Sequence, residues 1–232
     1  MSDVRPHCYA YPHPAVTTDI VLFTIRNETL QLLLIRRGMP PFQECWALPG
    51  GFLDIDEDLD CCAARELREE TGVDARHLEQ LCTFGAVGRD PRERVISVAY
   101  FALVPCEQLA LKAGDDAADA RWFAFSELPA LAFDHAEIIR VAHQRLISKL
   151  DYSSIAFQFL PETFTLAELQ RIYEILVDVD IDKRNFRKWA LALPQIEETG
   201  ELRRRRNRRP ARVYRMTERD RVAYMNRVAY LK

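Results

Sequence analysis

A cluster of acidic residues in the first third of the chain has a spacing suited to metal chemistry. Residues 51–73 read GFLDIDEDLDCCAARELREETGV. If residues 57–71 form a helix, Glu66 and Glu70 lie one turn apart on one face, with Glu69 beside them. Carboxylates held this closely repel one another unless a cation lies between them. Oxygen-only ligands of this kind suit a hard divalent ion, Mg²⁺ or Mn²⁺.

The same stretch resembles the Nudix box, G-x5-E-x7-R-E-U-x-E-E-x-G-U, in which U is an aliphatic residue. The alternative is a solvated amphipathic helix with an acidic face, which a complete match at fixed spacing makes much less favoured. The resemblance implies a cation held by Gly51, Glu66, Glu69 and Glu70, with the glutamates catalytic. It also implies a structural ion pair between Glu57 and Arg65. The matching residues are Gly51, Glu57, Arg65, Glu66, Leu67, Glu69, Glu70, Gly72 and Val73.

The chemistry that the box implies is attack of water on a diphosphate. A divalent cation neutralises the charge of the diphosphate and acidifies a bound water. The base that activates this water differs among Nudix subfamilies. Glu70, Asp115 and Asp116 are the candidates, and a solvated loop is the favoured interpretation of the two aspartates.

Residues outside the box indicate a class of substrate. Residues 46–52, 89–92 and 97–100 resemble the branch of the superfamily that handles ADP-ribose. Arginines there would hold phosphates by charge-assisted hydrogen bonds, and a phenylalanine would stack on a base, although a loop Phe is more often simply packed. His135 also fits that branch, but a structural histidine is the favoured interpretation. The candidate binding residues are Arg37, Phe52, Arg89 and Arg92.

Composition predicts a folded protein of the cytoplasm. Almost half of the 232 residues are apolar, which is enough for a well-packed core. No apolar run is long enough to span a bilayer, and the first residues lack the regions of a secretion signal. The six cysteines show no metal-ligand spacing, so we expect reduced, buried thiols.

Charge divides the chain into two parts. Residues 1–150 carry 15 Lys and Arg against 23 Asp and Glu, whereas residues 151–232 carry 17 against 12. A chain that is acidic in one part and basic in the other indicates two units with different partners.

Apolar periodicity assigns the first unit, residues 1–150, to the α/β class. Strands and helices alternate there in the manner of the layered α/β/α Nudix sandwich with a mixed sheet. The predicted strands are residues 15–25, 30–35, 78–87, 94–104 and 120–124, and the predicted helices are residues 57–71 and 134–150.

The second unit, residues 151–232, has the pattern of a small winged helix–turn–helix domain. Thr165 and Glu168 have capping-box spacing, so a helix is expected over residues 166–177. A second helix over residues 183–193 alternates basic residues with buried anchors. A turn then leads into an arginine-rich hairpin.

The basic residues of this unit predict DNA binding. The start of a recognition helix reaches base edges, and a basic wing grips phosphates. A basic disordered tail is the alternative, which is weakened because residues 213–216 return to a strand-like pattern. The predicted contacts are Lys183, Arg184, Asn185, Arg187 and Lys188 on the helix and Arg203, Arg204, Arg205 and Arg206 on the wing.

The two units together resemble the Nudix-related transcriptional regulators of NAD metabolism. The resemblance implies ADP-ribose or a related nucleotide as the signal, and a homodimer on double-stranded operator DNA. Many members have an eroded box, whereas every box residue is present here. Two alternatives remain open. One is a catalytically silent regulator that senses NAD derivatives or sugars, and the other is an ADP-ribose pyrophosphatase whose second domain serves assembly.

Overall fold

A mixed β-sheet forms the centre of the first part of the molecule. The computed structural model describes residues 9–75, 77–106, 117–204, 210–218 and 222–224, and only the backbone of residues 117–119. The elements of this part are β1 (Ala15–Arg26), β2 (Thr29–Arg37), β3 (Trp46–Ala47), β4 (Gly50–Phe52), α1 (Leu59–Thr71), β5 (His77–Phe84), β6 (Val95–Leu103), β7 (Ala117–Ala124) and α2 (His135–Leu150). The described strands run in the order β3-β2-β1-β6-β5, with β4 paired to β1 and β7 to β2. β1 and β6 are parallel and the other pairs are antiparallel.

The two helices cover opposite faces of the sheet. Successive residues of a strand point to opposite faces. Ile20 of β1 accordingly packs in the cluster that contains Leu67 of α1, whereas Val21 packs in the cluster that contains Ile138 of α2. Burial on both sides explains why β1 is a nearly continuous apolar run. The predicted α/β/α sandwich with a mixed sheet is therefore confirmed.

Local signals set the ends of α1 and so place its glutamates. The side chain of Asp58 caps the helix by accepting from the backbone N–H of Cys61. Gly72 ends the helix in the left-handed region, with φ 69°, and its N–H donates to the carbonyl of Arg68, which is the usual role of glycine at this position. The helix therefore begins two residues after the predicted position 57.

The second part of the chain is a winged helix–turn–helix, as predicted. Thr165 and Glu168 form the expected capping box at the start of the first helix, and the observed helix matches the predicted bounds. The second helix ends at residue 191 rather than 193. The third strand of the small sheet, β8, pairs with the wing strand β10. The elements are β8 (Thr163–Phe164), α3 (Leu166–Val177), α4 (Lys183–Leu191), β9 (Ile196–Arg203) and β10 (Ala211–Met216).

One hydrophobic cluster runs through both parts. It contains Leu146 and Leu150 from the buried face of α2 together with Phe157, Leu169 and Phe186 from the second part. The predicted boundary between the parts, residue 150, is the last residue of α2. The position of that boundary stays a prediction.

The structure corrects one expectation from the sequence, that the cysteines are buried, and adds three short strands. Cys61 is exposed, because it lies on the outer face of α1 while its neighbour Cys62 faces the core. The strands β3, β4 and β8 were not predicted, because two or three residues are too few to show a period. Within the described residues, no helix is both long and apolar enough to cross a membrane.

Candidate functional site

A cavity of about 190 Å³ lies at one end of the sheet. β1, β2, β4 and α1 supply its floor, and the loops before β6 and α2 supply its rim. Its lining combines carboxylates with arginines and two phenylalanine rings. This composition suits a polyanionic ligand that also carries a flat ring.

Two glycines bring the backbone against the glutamates of α1. β4 pairs with β1, with Gly51 opposite Thr18. A Cβ atom at Gly51 would collide with the carboxylate of Glu66, so a larger residue there would displace this carboxylate. The N–H of Gly50 donates to Glu70 Oε2 at 2.8 Å. Glu66 and Glu70 are thus held side by side at the strand end.

Burial and mutual repulsion disfavour the charged forms of these two carboxylates. Burial, with the nearby charges of Glu66 and Asp19, raises the pKa of Glu70 to about 8 despite the hydrogen bond from Gly50. Burial also raises the pKa of Glu66, although its hydrogen bond with Arg65 opposes this. Such shifts are expected for buried carboxylates that lie near other negative charges.

Arg65 joins the box residues into one network. Its guanidinium donates to Glu57 at 2.8 and 2.9 Å, to Glu66 at 2.7 Å and to Glu69 at 3.1 Å. The hydrogen bonds from Arg65 hold the pKa of Glu57 below its usual value. The loop before α1 is therefore fastened to the helix.

The arginines near the cavity differ in what they bind. Arg89 is almost fully buried; its guanidinium donates to Asp134 at 2.6 and 2.9 Å and lies 3.3 Å from Asp19. Arg92 is part-exposed and fixed by Asp90, with its guanidinium 5.2 Å from the centroid of the Phe52 ring. Both arginines use Nε and Nη2 on protein carboxylates, but only the second is substantially exposed at the rim.

A third arginine and two phenylalanines complete the rim. Arg37 Nε donates to the carbonyl of Pro41 at 2.9 Å, and its guanidinium lies 4.8 Å from the centroid of the Phe133 ring. Phe52 is 40% exposed, so its ring is accessible to a ligand. The sequence analysis missed Phe133, because this residue lies in the loop just before α2 and is part of no motif or periodic pattern.

A buried polar network behind the cavity was also missed. Asp19 accepts from Ser97 Oγ, and its Oδ1 lies 3.5 Å from His135 Nε2. His135 Nδ1 accepts from the N–H of Leu48 at 2.9 Å, and burial lowers the pKa of this histidine. His135 is thus bound as a structural histidine would be. Asp19 had a signal, because it is a lone charge in an apolar strand. The base candidates Asp115 and Asp116 lie outside the described residues.

The second part of the chain presents a basic face. On α4, the buried anchors Phe186 and Trp189 leave the polar residues on the other sides of the helix. On the wing, Arg204 is exposed, whereas Arg203 is part-buried; Arg205 and Arg206 lie outside the described residues. The exposed polar residues of α4 are Lys183, Arg184, Asn185, Arg187 and Lys188.

Comparison with known proteins identifies both parts. Residues 15–142 match the NUDIX domain, and residues 156–216 match the NrtR DNA-binding winged helix domain. An ADPR responsive transcriptional repressor, NtrR, of Acinetobacter baylyi is 36% identical over 90% of this chain and 85% of its own. This chain belongs to the NrtR branch of the Nudix family.

Two further proteins are similar to this NrtR-type chain. NrtR of Shewanella oneidensis, crystallised with a 27mer DNA, is 37% identical over 87% of this chain and 93% of its own, with a TM-score of 0.76. Its Nudix domain, crystallised with ADP ribose, covers 59% of this chain and 91% of its own at 38% identity, with a TM-score of 0.55. An ADP-ribose pyrophosphatase of Methanocaldococcus jannaschii is 41% identical over 56% of this chain and 73% of its own.

Nudix hydrolases generally use a divalent metal ion, and the NrtR-type chain has suitable donors. Among the residues that the structure describes, no three His, Cys, Asp or Glu side chains form a metal-binding group. Glu66 and Glu70 lie together beside Gly51, whereas Glu69 is mostly exposed and turned to Arg65. Oxygen donors whose carboxylates are costly to ionise without a cation fit a hard divalent ion.

Proposed function

We propose that this chain is an ADP-ribose-responsive transcriptional regulator of NAD metabolism that acts in the cytoplasm. Its Nudix cavity would take the nucleotide and its winged helix would bind operator DNA. The observation that carries the proposal is the likeness to a repressor over nine-tenths of the chain. An arginine-rimmed cavity and an exposed basic helix, joined by one core, support it.

The cavity suits the parts of ADP-ribose. The diphosphate would meet the part-exposed guanidinium groups of Arg37 and Arg92, and the adenine would stack on Phe52. Arg89, which is held by Asp134 and Asp19, would add positive charge from behind rather than a free fork of donors. The proposed binding residues remain Arg37, Phe52, Arg89 and Arg92.

The winged helix suits a two-fold operator. A homodimer would place two α4 helices in successive major grooves, because half-sites of such operators lie about one helical turn apart. The exposed polar residues of α4 would read bases, and the wing arginines Arg204, Arg205 and Arg206 would meet phosphates.

ADP-ribose is expected to release the DNA. A ligand that favours one dimer arrangement shifts the equilibrium away from the other, and such coupling changes affinity about 5- to 150-fold. The measurement is anisotropy of a labelled duplex, selected from random sequences with the full chain, titrated with ADP-ribose in EDTA. AMP and ribose 5-phosphate serve as controls. An affinity for DNA that saturating ADP-ribose leaves unchanged contradicts the proposal.

Variants separate the two activities. Arg92→Ala should bind DNA normally but need a much higher ADP-ribose concentration for release, because its guanidinium faces the cavity rim. Arg184→Ala should bind ADP-ribose normally but DNA weakly. Arg140→Ala is the matched control, since Arg140 is exposed on α2 and pairs with Glu137, away from both sites.

Hydrolysis of ADP-ribose is a second candidate activity, favoured by the complete box with Glu66 and Glu70 held side by side. A bound Mg²⁺ or Mn²⁺ would neutralise the diphosphate and acidify a water. The residues that would hold it are Gly51, Glu66, Glu69 and Glu70. Glu57 and Arg65 would keep the loop in register with α1.

Release of AMP from ADP-ribose with Mg²⁺ tests this second activity. Glu70→Gln keeps the size of the side chain but removes the charge, so turnover should fall about 100-fold or more. ADP-ribose binding in EDTA serves as the folding control. Absence of turnover by the unaltered chain leaves the regulator without hydrolysis. A pyrophosphatase whose second domain serves only assembly would leave the exposed basic face of α4 unexplained.

A further inference from the structure

Arg203 lies at the end of β9, where the wing meets the body of the second domain. Its guanidinium donates to Glu168 Oε2 at 2.9 Å and to both the carbonyl and the hydroxyl oxygen of Thr163 at 3.0 Å. The side chain is one-third exposed. One arginine thus joins β9, β8 and the first turn of α3.

The neighbouring arginine is different. Arg204 is exposed, and no hydrogen bond to it is recorded among the described residues. At the end of β9, therefore, the side chain of Arg203 is bound by the protein, whereas that of the next residue, Arg204, is open to solvent. The two residues offer a matched pair for experiment.

Cross-strand pairing is the rule for the other described cations of the wing. Arg212 of β10 pairs with Glu198 of β9 at 2.9 Å, and Arg215 pairs with Glu197. These pairs stiffen the hairpin itself, whereas Arg203 connects the hairpin to a helix. Arg203 is therefore the described wing arginine that can set where the hairpin stands.

Glu168 receives this arginine while it also caps α3. Its Oε2 accepts from the N–H of Thr165 at 2.8 Å, and its own N–H donates to Thr165 Oγ1 at 3.3 Å. The helix it caps carries Tyr173, whose ring packs against Phe186 and Trp189 of α4. The chain of contacts thus runs from the wing through α3 to the recognition helix.

We propose that Arg203 is a positioning residue rather than a phosphate contact, and that it holds the wing against α3 through Glu168. The proposal rests on the DNA-binding function argued above. A wing and a recognition helix grip one duplex only if their separation is fixed beforehand, because any ordering left until binding reduces affinity. Arg203 and Glu168 supply that fixed geometry, and the exposed arginines of the wing contact the DNA phosphates.

The slope of log affinity against log salt separates the two roles, since each neutralised phosphate contributes to that slope. The variants are Arg203→Ala, Glu168→Gln, their combination and Arg204→Ala, each in the full chain with the selected duplex. Glu168→Gln removes the charge that binds Arg203 but keeps an acceptor for the capping box, in which Gln is also found. Circular dichroism and urea unfolding verify that each variant is folded, and Arg203→Lys replaces Arg203→Ala if the latter does not fold.

Arg203→Ala and Glu168→Gln should each weaken DNA binding about tenfold, the loss of one charged hydrogen bond, with an unchanged salt slope. Their combination should be no worse than Arg203→Ala alone, since both substitutions break the contact between Arg203 and Glu168. Arg204→Ala should lower the magnitude of the slope by about 1. A lowered slope in Arg203→Ala with full affinity in Glu168→Gln overturns the proposal, as does full affinity in both.

Hydrogen exchange of the β9 and β10 amides tests the anchor without DNA. Exchange should quicken in Arg203→Ala and Glu168→Gln, and Arg204→Ala should match the unaltered chain. Unchanged exchange in both anchor variants overturns the proposal. If the unaltered chain binds no duplex, the proposed function has failed, and the exchange result still decides the anchor.

Discussion

The arginines of this protein show that residue type alone does not reveal which side chains can bind a ligand. Arg37, Arg89 and Arg92 are equal candidates for a phosphate in the sequence, and Arg203 to Arg206 are equal candidates for DNA. In the folded chain, Arg203 is bound by Glu168 and Arg89 by Asp134. Arg92 is paired with Asp90 but stays 40% exposed. Each guanidinium has five donors in a fixed fork, so an arginine bound on that fork has fewer donors left for a ligand.

Arg89 and Arg92 should therefore respond differently to substitution. Arg89→Ala leaves Asp19 and Asp134 without their buried cation, which should lower the free energy of unfolding by about 3–5 kcal/mol. Arg92→Ala removes the part-exposed cation of the buried Asp90, which keeps the backbone N–H of residue 92 as a donor. It should therefore cost less, about 1–3 kcal/mol, while weakening ADP-ribose binding. Urea unfolding and ligand titration measure both quantities. Equal losses of stability would contradict the burial-based distinction.

At the scale of elements, a few ionic contacts join strands to helices, and one of them joins β5 to α2. Glu79 of β5 binds Lys149 of α2 and has His77 Nε2 at 3.5 Å. Burial opposes its ionisation, but the close approach of His77 and the hydrogen bond from Lys149 lower its pKa to about 2. A glutamate in the unfolded chain has a pKa of about 4.3. Folded Glu79 therefore binds a proton less readily than unfolded Glu79.

Stability should consequently fall as the pH drops from about 4.3 toward 2, since the contribution of Glu79 is complete above the unfolded pKa. Urea unfolding at a series of pH values measures the loss. Glu79→Gln should be less stable at neutral pH and should show a shallower fall over that window. Glu127→Gln is the control, because Glu127 is exposed on the surface before α2. Parallel pH profiles for Glu79→Gln and the unaltered chain would exclude this contribution.

The whole molecule is held by a cluster that crosses from the Nudix part into the winged helix. Phe157 lies between the two parts, is 1% exposed and packs edge-on against Phe164. A shared core makes the two parts depend on each other, because neither can lose its share of apolar burial alone. The same core gives the nucleotide cavity a mechanical connection to the DNA-binding face.

Phe157→Ala should destabilise both parts together. Deletion of a buried ring costs about 3–5 kcal/mol. The loss should appear equally in hydrogen exchange of the α3 amides, which reports the winged helix, and in ADP-ribose binding, which reports the Nudix part. Ile55→Ala, at a site that is 72% exposed, should change neither. Two separate transitions in urea would show that the parts unfold independently.

Much of this protein could be predicted from the sequence alone, because the relevant signals are local or periodic. The Nudix box, the α/β/α class, the capping box at Thr165 and the helix over residues 166–177 rest on spacing within one or two turns of chain. The likeness to NrtR-type regulators rests on two such patterns in one sequence.

Only the tertiary structure decided which charges are open to a ligand. Asp134 is 45 residues from Arg89 in the chain, and Glu168 is 35 residues from Arg203, so no local pattern announces either contact. Short strands such as β3 and β4 were invisible for the same reason, since they exist only through their pairing partners. A side chain's availability depends on what the fold brings against it, and that is a property of long-range packing rather than of sequence spacing.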